Sequence, residues 1–317
     1  MEMESNLQEA SGDTETDMDV KQSAGDMENS APEDAGNVYD VAIQGVVGCF
    51  HEAAAVAYFD SVGARVRSVE CETFHDLFDA LAADRHMFGV VAIENTIAGP
   101  LLQNHELLRE SGMTIVGEMR MRISHCLCAL PGQKIENIRV VGSHPMALMQ
   151  CERYLRTHPE MRMTETFDTA GSARDISLGR ITGHAAVCGE YAARLYGLEI
   201  LERGIETDKH NFTRFLILAH PEHRRRLVAD NADCDKASIV FSLPHKKGAL
   251  AGVLAIFSFY ELNLTKIQSS PMVGREWEYL FHIDLTFDNY ERYRQAVAAV
   301  RPLLSNLRIL GEYKSAE

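Results

Sequence analysis

The sequence has no long hydrophobic run. No stretch of about 18 consecutive apolar residues occurs in the 317 residues, so we expect no transmembrane helix. Residues 1–20, MEMESNLQEASGDTETDMDV, have neither a basic segment nor an apolar core, and so they do not resemble a secretory signal. We therefore predict a cytoplasmic protein that does not contact a membrane.

Basic charge is also scarce. The chain has 31 Lys and Arg against 46 Asp and Glu, for a formal charge of −15, and residues 1–40 alone hold 12 acidic side chains and one basic one. Proteins that bind a phosphate backbone usually carry a basic face, so we predict no nucleic-acid partner. Residues 1–37 are rich in Glu, Asp, Ser and Gly and lack aromatic side chains. They cannot bury enough apolar surface to fold, which predicts a disordered acidic leader.

Several motifs that bind cofactors or metals are missing. Gly45-Val-Val-Gly48 lacks the spacing and the third glycine of a dinucleotide fingerprint, and no P-loop, HExxH or GxSxG occurs. The 13 histidines include no helical i, i+4 ligand pair with a carboxylate partner. Seven cysteines make an odd number, and the single close pair, Cys126 and Cys128, has strand spacing. We predict reduced, buried cysteines and no metal site.

The remaining pattern indicates a folded protein with more than one domain. Hydrophobic residues make up 46% of the chain, enough for a sizeable core. From Val38 onward, short apolar runs such as FGVVAIE alternate with helical patterns such as TFHDLFDALAAD, which predicts an α/β fold with mainly parallel strands. After a linker at 221–235, the order strand, helix, strand, strand, helix, strand predicts a ferredoxin-like βαββαβ unit. The Arg224–Arg226 run in the linker fits either a solvated face or an interdomain contact.

Four junctions between an apolar strand and a helix are candidates for a binding site. They are 45–52 (GVVGCFHE), 93–99 (IENTIAG), 142–145 (GSHP) and 168–172 (DTAGS). Ligands of α/β sheets bind beyond the carboxyl ends of strands, where helix N-termini offer N–H groups to anions. If the junctions converge, they suit a small acid with one or two carboxylates. Ser143 as an ordinary helix cap and Gly45 with Gly48 as an ordinary turn remain alternatives.

The segment Asn211-Phe-Thr-Arg-Phe215 places polar residues at the head of the apolar strand FLIL. Strand alternation puts Thr213 on the face opposite Phe212 and Arg214. Arg214 then either lies tucked at the strand end or points at an anion, where a charge-assisted hydrogen bond contributes about 1.5–3 kcal/mol. A strand end with solvated polar residues is the alternative.

Taken together, these segments resemble the prephenate dehydratase family. The resemblance covers residues 38–315 and rests on GVVGCFHEAAAVAYF (45–59), AIENTIAGPL (92–101), SHPMALMQC (143–151), DTAGSA (168–173) and NFTRFLIL (211–218). KASIVFSLPHKKGALAGVL (236–254) resembles the start of the ACT regulatory domain that is common in that family. The resemblance implies a catalytic domain at 38–225, with two α/β lobes like those of periplasmic solute-binding proteins and a cleft between them. It also implies a βαββαβ ferredoxin-like ACT domain at 236–315.

The resemblance further implies a reaction and its partners. The family removes the ring hydroxyl and a carboxylate from prephenate, which gives phenylpyruvate, CO2 and water on the way to L-phenylalanine. No cofactor is needed, because the ring becomes aromatic as the groups leave. Arogenate dehydratase, and a non-catalytic amino-acid-binding protein on the same lobes, are the alternatives. L-Phenylalanine as an allosteric effector and a homodimer or homotetramer are implied as well.

Residue roles are implied by matching motif positions. Thr213 would lie beside the leaving hydroxyl as a hydrogen-bond donor or proton relay. The other implied catalytic residues are Asn95, Ser143 and Gln150. The implied substrate-binding residues are Glu94, Thr96, Thr169, Ala170, Arg214 and Phe215. An internal ion pair is the alternative for Arg214, and a structural role is the alternative for Glu94. The implied effector-binding residues are Gly248, Ala249, Leu250, Asn263, Gln268 and Ser269.

The chain departs from the family pattern at four places. Asn95-Thr96 stands where the family commonly has Asn-Ser, which keeps a hydroxyl. Phe50-His51 stands where the family commonly has Phe-Ser, and His144-Pro145-Met146 stands where it has His-Pro-Gln. In the regulatory region, Gln268-Ser269-Ser270-Pro271 replaces the usual Glu-Ser-Arg-Pro, which removes two charges near the expected effector site.

Overall fold

The computed structural model describes residues 37–228, 230–272 and 279–316. The predicted acidic leader, residues 1–37, lies outside this part of the chain except for Asn37. Within the described ranges, no helix combines the length and the apolar character needed to cross a bilayer.

The described residues form 15 β-strands and nine α-helices. The strands are β1 (Val38–Gln44), β2 (Arg65–Cys71), β3 (Phe88–Asn95), β4 (Gly99–Pro100), β5 (Thr114–Arg122), β6 (Cys126–Ala129), β7 (Val140–Ser143), β8 (Arg162–Glu165), β9 (His184–Cys188), β10 (Glu199–Arg203), β11 (Phe212–Ala219), β12 (Lys236–Ser242), β13 (Asn263–Pro271), β14 (Tyr279–Thr286) and β15 (Ser305–Tyr313). The helices are α1 (Phe50–Ser61), α2 (Phe74–Ala83), α3 (Leu102–Ser111), α4 (Pro145–Gln150), α5 (Glu152–Leu155), α6 (Thr169–Gly179), α7 (Glu190–Leu195), α8 (Ala249–Phe259) and α9 (Tyr290–Val300).

The first half of the larger sheet has the strand order β5-β11-β3-β1-β2, with β4 paired to β3. β1 runs parallel to β2 and β3, but β11 runs antiparallel to both β3 and β5. The strands of the second sheet lie between β5 and β11 in the sequence, and β11 pairs with β3 and β5, which come much earlier. The expectation of mainly parallel strands is therefore wrong, and the fold is a mixed α/β fold.

The second sheet has the order β10-β6-β9-β7-β8. β7 is parallel to β8 and β9, whereas β6 is antiparallel to β9 and β10. Its strands are short, and the apolar strands β6 and β9 bring Cys126, Cys128 and Cys188 into the core. All seven cysteines of the chain are buried and free.

The last four strands complete the larger sheet in the order β13-β14-β12-β15, with every pairing among them antiparallel. With α8 and α9 they follow the βαββαβ order, the ferredoxin-like arrangement. β15 meets β5 at a single bridge between Gly311 and Ile115. A Cβ atom at Gly311 would lie 2.3 Å from the Ile115 carbonyl oxygen, so only glycine permits this approach. The bridge joins the two halves of the sheet.

The connection between β11 and β12 carries the run of three arginines. Arg224 donates to the Glu312 carbonyl oxygen at 2.8 Å and to Asn231 Oδ1 at 2.6 Å. Its guanidinium thus holds the linker against β15, whereas Arg225 and Arg226 are exposed.

Candidate active site

A cavity of about 330 Å³ lies where strand ends and helix starts of the two sheets meet. Its wall comes from the end of β1, the start of α1, β3, the loop between β5 and β6, α4, the start of α6 and β11. This volume is at the lower end of the range of sites for small molecules. The predicted junctions do converge here, because residues of all four line it.

Three helices begin at the cavity. α1 starts at Phe50 with no side chain capping its end. α6 starts at Thr169, where Asp168 accepts a hydrogen bond from the Gly171 N–H at 2.8 Å. The short helix α4 is capped by His144, whose Nδ1 accepts from the Met146 N–H. Helix N-termini carry partial positive charge and unpaired N–H groups, so this convergence suits an anionic ligand.

Thr213 lies on β11 directly opposite Asn95 of β3. The Oδ1 atom of Asn95 accepts from two backbone N–H groups, those of Ile97 at 2.9 Å and Ala98 at 2.8 Å. The orientation of the Asn95 amide is thereby fixed, and its Nδ2 group donates to Thr213 Oγ1 at 2.9 Å. Since the Thr213 oxygen accepts this bond, its own hydroxyl proton remains available for a ligand.

The same amide starts a chain of hydrogen bonds across the cavity wall. Asn95 Nδ2 also donates to Asn211 Oδ1 at 2.7 Å, so Asn211 presents its Nδ2 to Gln150 Oε1 at 2.9 Å. His125 Nε2 lies 3.0 Å from the same Gln150 oxygen. Because the donor and acceptor ends of Asn95 are fixed, those of Asn211 and Gln150 are fixed as well. These hydrogen bonds link β3 and β11 to α4.

The ionisable side chains at the cavity are mostly neutral or acidic. Burial lowers the pKa of His51 to about 4, and its Nε2 accepts from the Ala92 N–H. Burial raises the pKa of Cys49 to about 12 and also raises that of Asp168, against the backbone N–H groups that bond its carboxylate. Among the described residues that line the cavity, none is Lys or Arg. An adjoining depression shares Gln150 and carries Arg153 and Arg156.

Five of the ten predicted catalytic and substrate-binding residues line the cavity. They are Asn95, Gln150, Thr169, Thr213 and Phe215. Phe215 is 1% exposed and packs edge-on against the His51 ring, with the centroids 5.1 Å apart.

Two predicted residues lie behind the cavity wall. Ser143 is fully buried, and its hydroxyl donates to the Val187 carbonyl oxygen at 2.6 Å, across to β9. Ala170 is also fully buried, in the core beneath α6. The predicted contact of either side chain with a substrate is corrected, because neither lines the cavity. Their motif positions serve packing.

Two more predicted residues point into other contacts. Thr96 Oγ1 donates to the His210 carbonyl oxygen at 2.7 Å and accepts from the Phe212 N–H, so it fastens the chain ahead of β11. Glu94 accepts from Lys266 Nζ at 2.9 Å. The Glu94 carboxylate is thus paired with a cation from β13. Neither Thr96 nor Glu94 lines the cavity.

Arg214, predicted as a ligand of a substrate carboxylate, faces away from the cavity. Its Nε donates to Glu118 at 2.6 Å, its Nη1 to Asp284 and its Nη2 to the Tyr313 hydroxyl at 3.0 Å. Lys236 also bonds Glu118, at 2.8 Å. The substrate role is corrected because all the partners of Arg214 belong to a buried network on the opposite face of β11. The strand alternation expected between Thr213 and Arg214 is present.

The predicted effector-binding residues occupy two places in the βαββαβ part. Gly248 is the N-cap of α8, with Ala249 and Leu250 in the first turn of that helix. Asn263, Gln268 and Ser269 lie on β13, the outermost strand of the sheet. The Gln268 side chain donates to the Ser269 carbonyl oxygen at 2.8 Å.

Sequence reasoning missed residues that line the cavity or lie just behind its wall. Asn211 was inside the NFTRF motif, and its position two residues before Thr213 could have indicated a shared face. His125 was a lone histidine in an apolar strand pattern, and such a side chain needs a polar partner when buried. Asp168 belongs to the predicted junction 168–172, but no role was predicted for its side chain, which lines the cavity.

A cavity lined by helix starts and a directed chain of amides defines a protein that binds and acts on a small acid. The chain belongs to the prephenate dehydratase family, since the family model described as prephenate dehydratase matches residues 41–223. A curated relative, arogenate dehydratase/prephenate dehydratase 2 of Arabidopsis thaliana, is 36% identical over 288 residues, which cover 88% of this chain and 73% of the relative.

Solved structures that share this fold include the following two. The prephenate dehydratase of Arthrobacter aurescens in complex with L-Phe is 26% identical, with a TM-score of 0.74, and the match covers 87% of this chain and 89% of that one. GqqA, described as a novel type of quorum quenching acylase, is 28% identical, with a TM-score of 0.75, and covers 87% and 98%. The fold is therefore found with two different named activities.

Proposed function

We propose that this protein is a prephenate dehydratase that converts prephenate to phenylpyruvate, CO2 and water. The observation that carries the proposal is the Thr213 hydroxyl, which accepts from Asn95 and so keeps its proton for a ligand in the cavity. The three helix starts would bind the carboxylates of the substrate, and Gln150 would add side-chain N–H groups. The hydroxyl, the helix starts and the Gln150 amide are the parts of this lining that can offer hydrogen-bond donors to an anion.

The reaction needs little more than such donors. The bond between the ring and the departing carboxylate breaks, and its electron pair enters the ring. The ring then becomes aromatic as the carbon–oxygen bond to the hydroxyl breaks, and the leaving oxygen takes a proton to become water. A Thr hydroxyl is a weak acid, so Thr213 would stabilise the leaving oxygen by hydrogen bonding or relay a proton from water. Donors aimed at developing charge are the main source of catalysis in such sites.

The hydrogen bonds of Thr213 favour a dehydratase over an acylase. An acylase with a hydroxyl nucleophile needs a neighbouring base that accepts the hydroxyl proton. The partner of Thr213 is the Nδ2 group of Asn95, which is a donor. The Thr213 oxygen is therefore placed to give a hydrogen bond and is not activated as a nucleophile.

Arogenate is the second candidate substrate, and the charge of the cavity supports it. The lining carries the Asp168 carboxylate, and none of its described residues is Lys or Arg. Prephenate brings two carboxylates, whereas arogenate replaces the side-chain keto group with an ammonium group. Asp168 could pair with that ammonium, and this is the observation that supports arogenate as the second candidate.

A product assay tests both substrates together. The purified full-length protein is incubated separately with prephenate and with arogenate, and phenylpyruvate and phenylalanine are separated and quantified. The proposal expects turnover of at least one substrate. The ratio of kcat/KM values assigns the preference, and failure to consume either substrate contradicts the proposal.

We propose in addition that residues 236–315 are an ACT regulatory domain that responds to L-phenylalanine. The βαββαβ order supports this, as does the L-Phe complex of the related Arthrobacter enzyme. The effector would contact the start of α8 and the outer strand β13, in a homodimer or homotetramer. Adding L-phenylalanine to the turnover assay tests the regulation, and unchanged turnover at saturating effector contradicts it. The cytoplasmic location stays a prediction, and the Arabidopsis relative named above is called chloroplastic.

A further inference from the structure

His125 lies at the opposite end of the hydrogen-bonded chain from Thr213, and the reaction outlined above does not use it. The residue sits between β5 and β6 and is 2% exposed. Its backbone N–H donates to the buried Glu206 carboxylate at 2.9 Å, and the Phe50 ring packs edge-on against the imidazole. Backbone and ring are therefore both held in place at the cavity wall.

The two ring nitrogens have different surroundings. Nε2 faces Gln150 Oε1, which already accepts from Asn211 Nδ2, so Nε2 must carry a proton to make a favourable contact. Nδ1 is buried and has no hydrogen-bond partner among the described residues, so a second proton there would find no acceptor in that part of the chain. Burial lowers the pKa of His125 and outweighs the opposite effects of Gln150 and Glu206. These surroundings favour the neutral imidazole with its proton on Nε2.

We propose that His125 is a positioning residue whose Nε2–H bond to Gln150 Oε1 turns the Gln150 amide N–H groups toward the ligand. Two donors, Asn211 Nδ2 and His125 Nε2, hold the oxygen of this amide. The Gln150 Nε2 group is then left for the cavity. Without the histidine, one of these two anchors is lost and the amide gains rotational freedom. The Gln150 N–H groups would then point toward the ligand in only a fraction of the molecules.

The kinetic test of this inference rests on the proposed function. The measurement of which His125 ring nitrogen carries the proton does not. Long-range 1H–15N correlation spectra of the full chain with labelled histidine report which ring nitrogen is protonated. Comparison with His125→Gln assigns the signal. We expect the Nε2–H form from about pH 7 to pH 8, above the usual pKa of a histidine. A ring protonated on Nδ1, or charged in this range, overturns the inference whatever the enzyme does.

Kinetics test the link to Gln150. His125→Phe keeps an aromatic ring and removes the donor, and we expect kcat/KM to fall roughly tenfold, the loss of about one hydrogen bond. His125→Gln restores a donor at the Nε2 position and should recover most of the rate. His158→Phe, a partly buried histidine bonded to Glu160, is the matched control and should leave kcat/KM unchanged.

A double-mutant cycle separates positioning from a purely structural role. In a Gln150→Ala background, His125→Phe should cause no further loss, because the group it positions is gone. Equal losses in both backgrounds, or no loss from His125→Phe alone, overturn the inference. If His125→Phe does not fold, His125→Asn, which also lacks a donor at the Nε2 position, replaces it. If the wild type turns over neither substrate, the proposed function fails and the tautomer measurement decides this inference alone.

Discussion

Thr213 and Arg214 are neighbours in β11, yet their side chains serve opposite faces of the strand. Thr213 lines the cavity and accepts from Asn95, whereas Arg214 bonds Glu118 on β5 and Asp284 on β14. The strand that carries the candidate catalytic hydroxyl is therefore fixed from behind by the βαββαβ part of the chain. A substitution that alters the buried network should therefore also alter the position of Thr213 at the cavity.

Removing the guanidinium should destabilise the protein. Burial disfavours the charge of Arg214, but its neighbours outweigh burial and raise the pKa further. Arg214→Met leaves Glu118 and Asp284 with one cation fewer in a buried network, which should lower the free energy of unfolding by about 3 kcal/mol. Urea unfolding measures this. Arg67→Met, which breaks an exposed pair with Asp40, is the control and should leave the midpoint unchanged.

Mild acid should destabilise the fold through buried histidines. Burial lowers the pKa of His51 to about 4 and that of His105 to about 3. The unfolded chain then binds protons near pH 6.5, while the folded chain does not. Stability is full above that pH and falls as the pH drops toward 4, by up to about 1.4 kcal/mol per pH unit for each such histidine.

Urea unfolding at a series of pH values checks this dependence. His105→Leu should flatten the slope between pH 6.5 and 4, as described by the same linkage. His210→Asn changes an exposed histidine and should not alter the slope. Identical slopes in His105→Leu and the wild type would show that His105 does not contribute.

The carboxylate of Asp168 should influence the choice of substrate. Asp168→Asn keeps a side-chain oxygen that can cap α6, so the helix start is preserved. It removes the negative charge from the cavity. We expect kcat/KM for arogenate to fall relative to that for prephenate, because the ammonium loses its counter-charge. An unchanged ratio of the two values would mean that Asp168 does not contact the group in which the substrates differ.

The sequence predicted element types and the motif positions of the cavity better than it predicted the function of each side chain. The alternation in NFTRF correctly placed Thr213 and Arg214 on opposite faces. The target of Arg214 depended on Asp284, which lies 70 residues further along the chain, and local patterns carry no information about such pairs. The prediction of parallel strands was wrong for the same reason, because β11 pairs with β3 and β5, which come much earlier in the sequence. The hydrogen bonds from Asn211 and His125 to Gln150 join three segments that are distant in the sequence, so local patterns could not predict them either.

The most direct test of the account compares the wild type with Thr213→Val and Thr213→Ser in the product assay with prephenate and arogenate. Valine keeps the branched shape and removes the hydroxyl, whereas serine retains it. We predict turnover by the wild type, a loss of about 10²–10⁴-fold in kcat for Thr213→Val with an unchanged unfolding midpoint, and substantial activity for Thr213→Ser. Full turnover by Thr213→Val, or no product from the wild type with either substrate, would contradict the account.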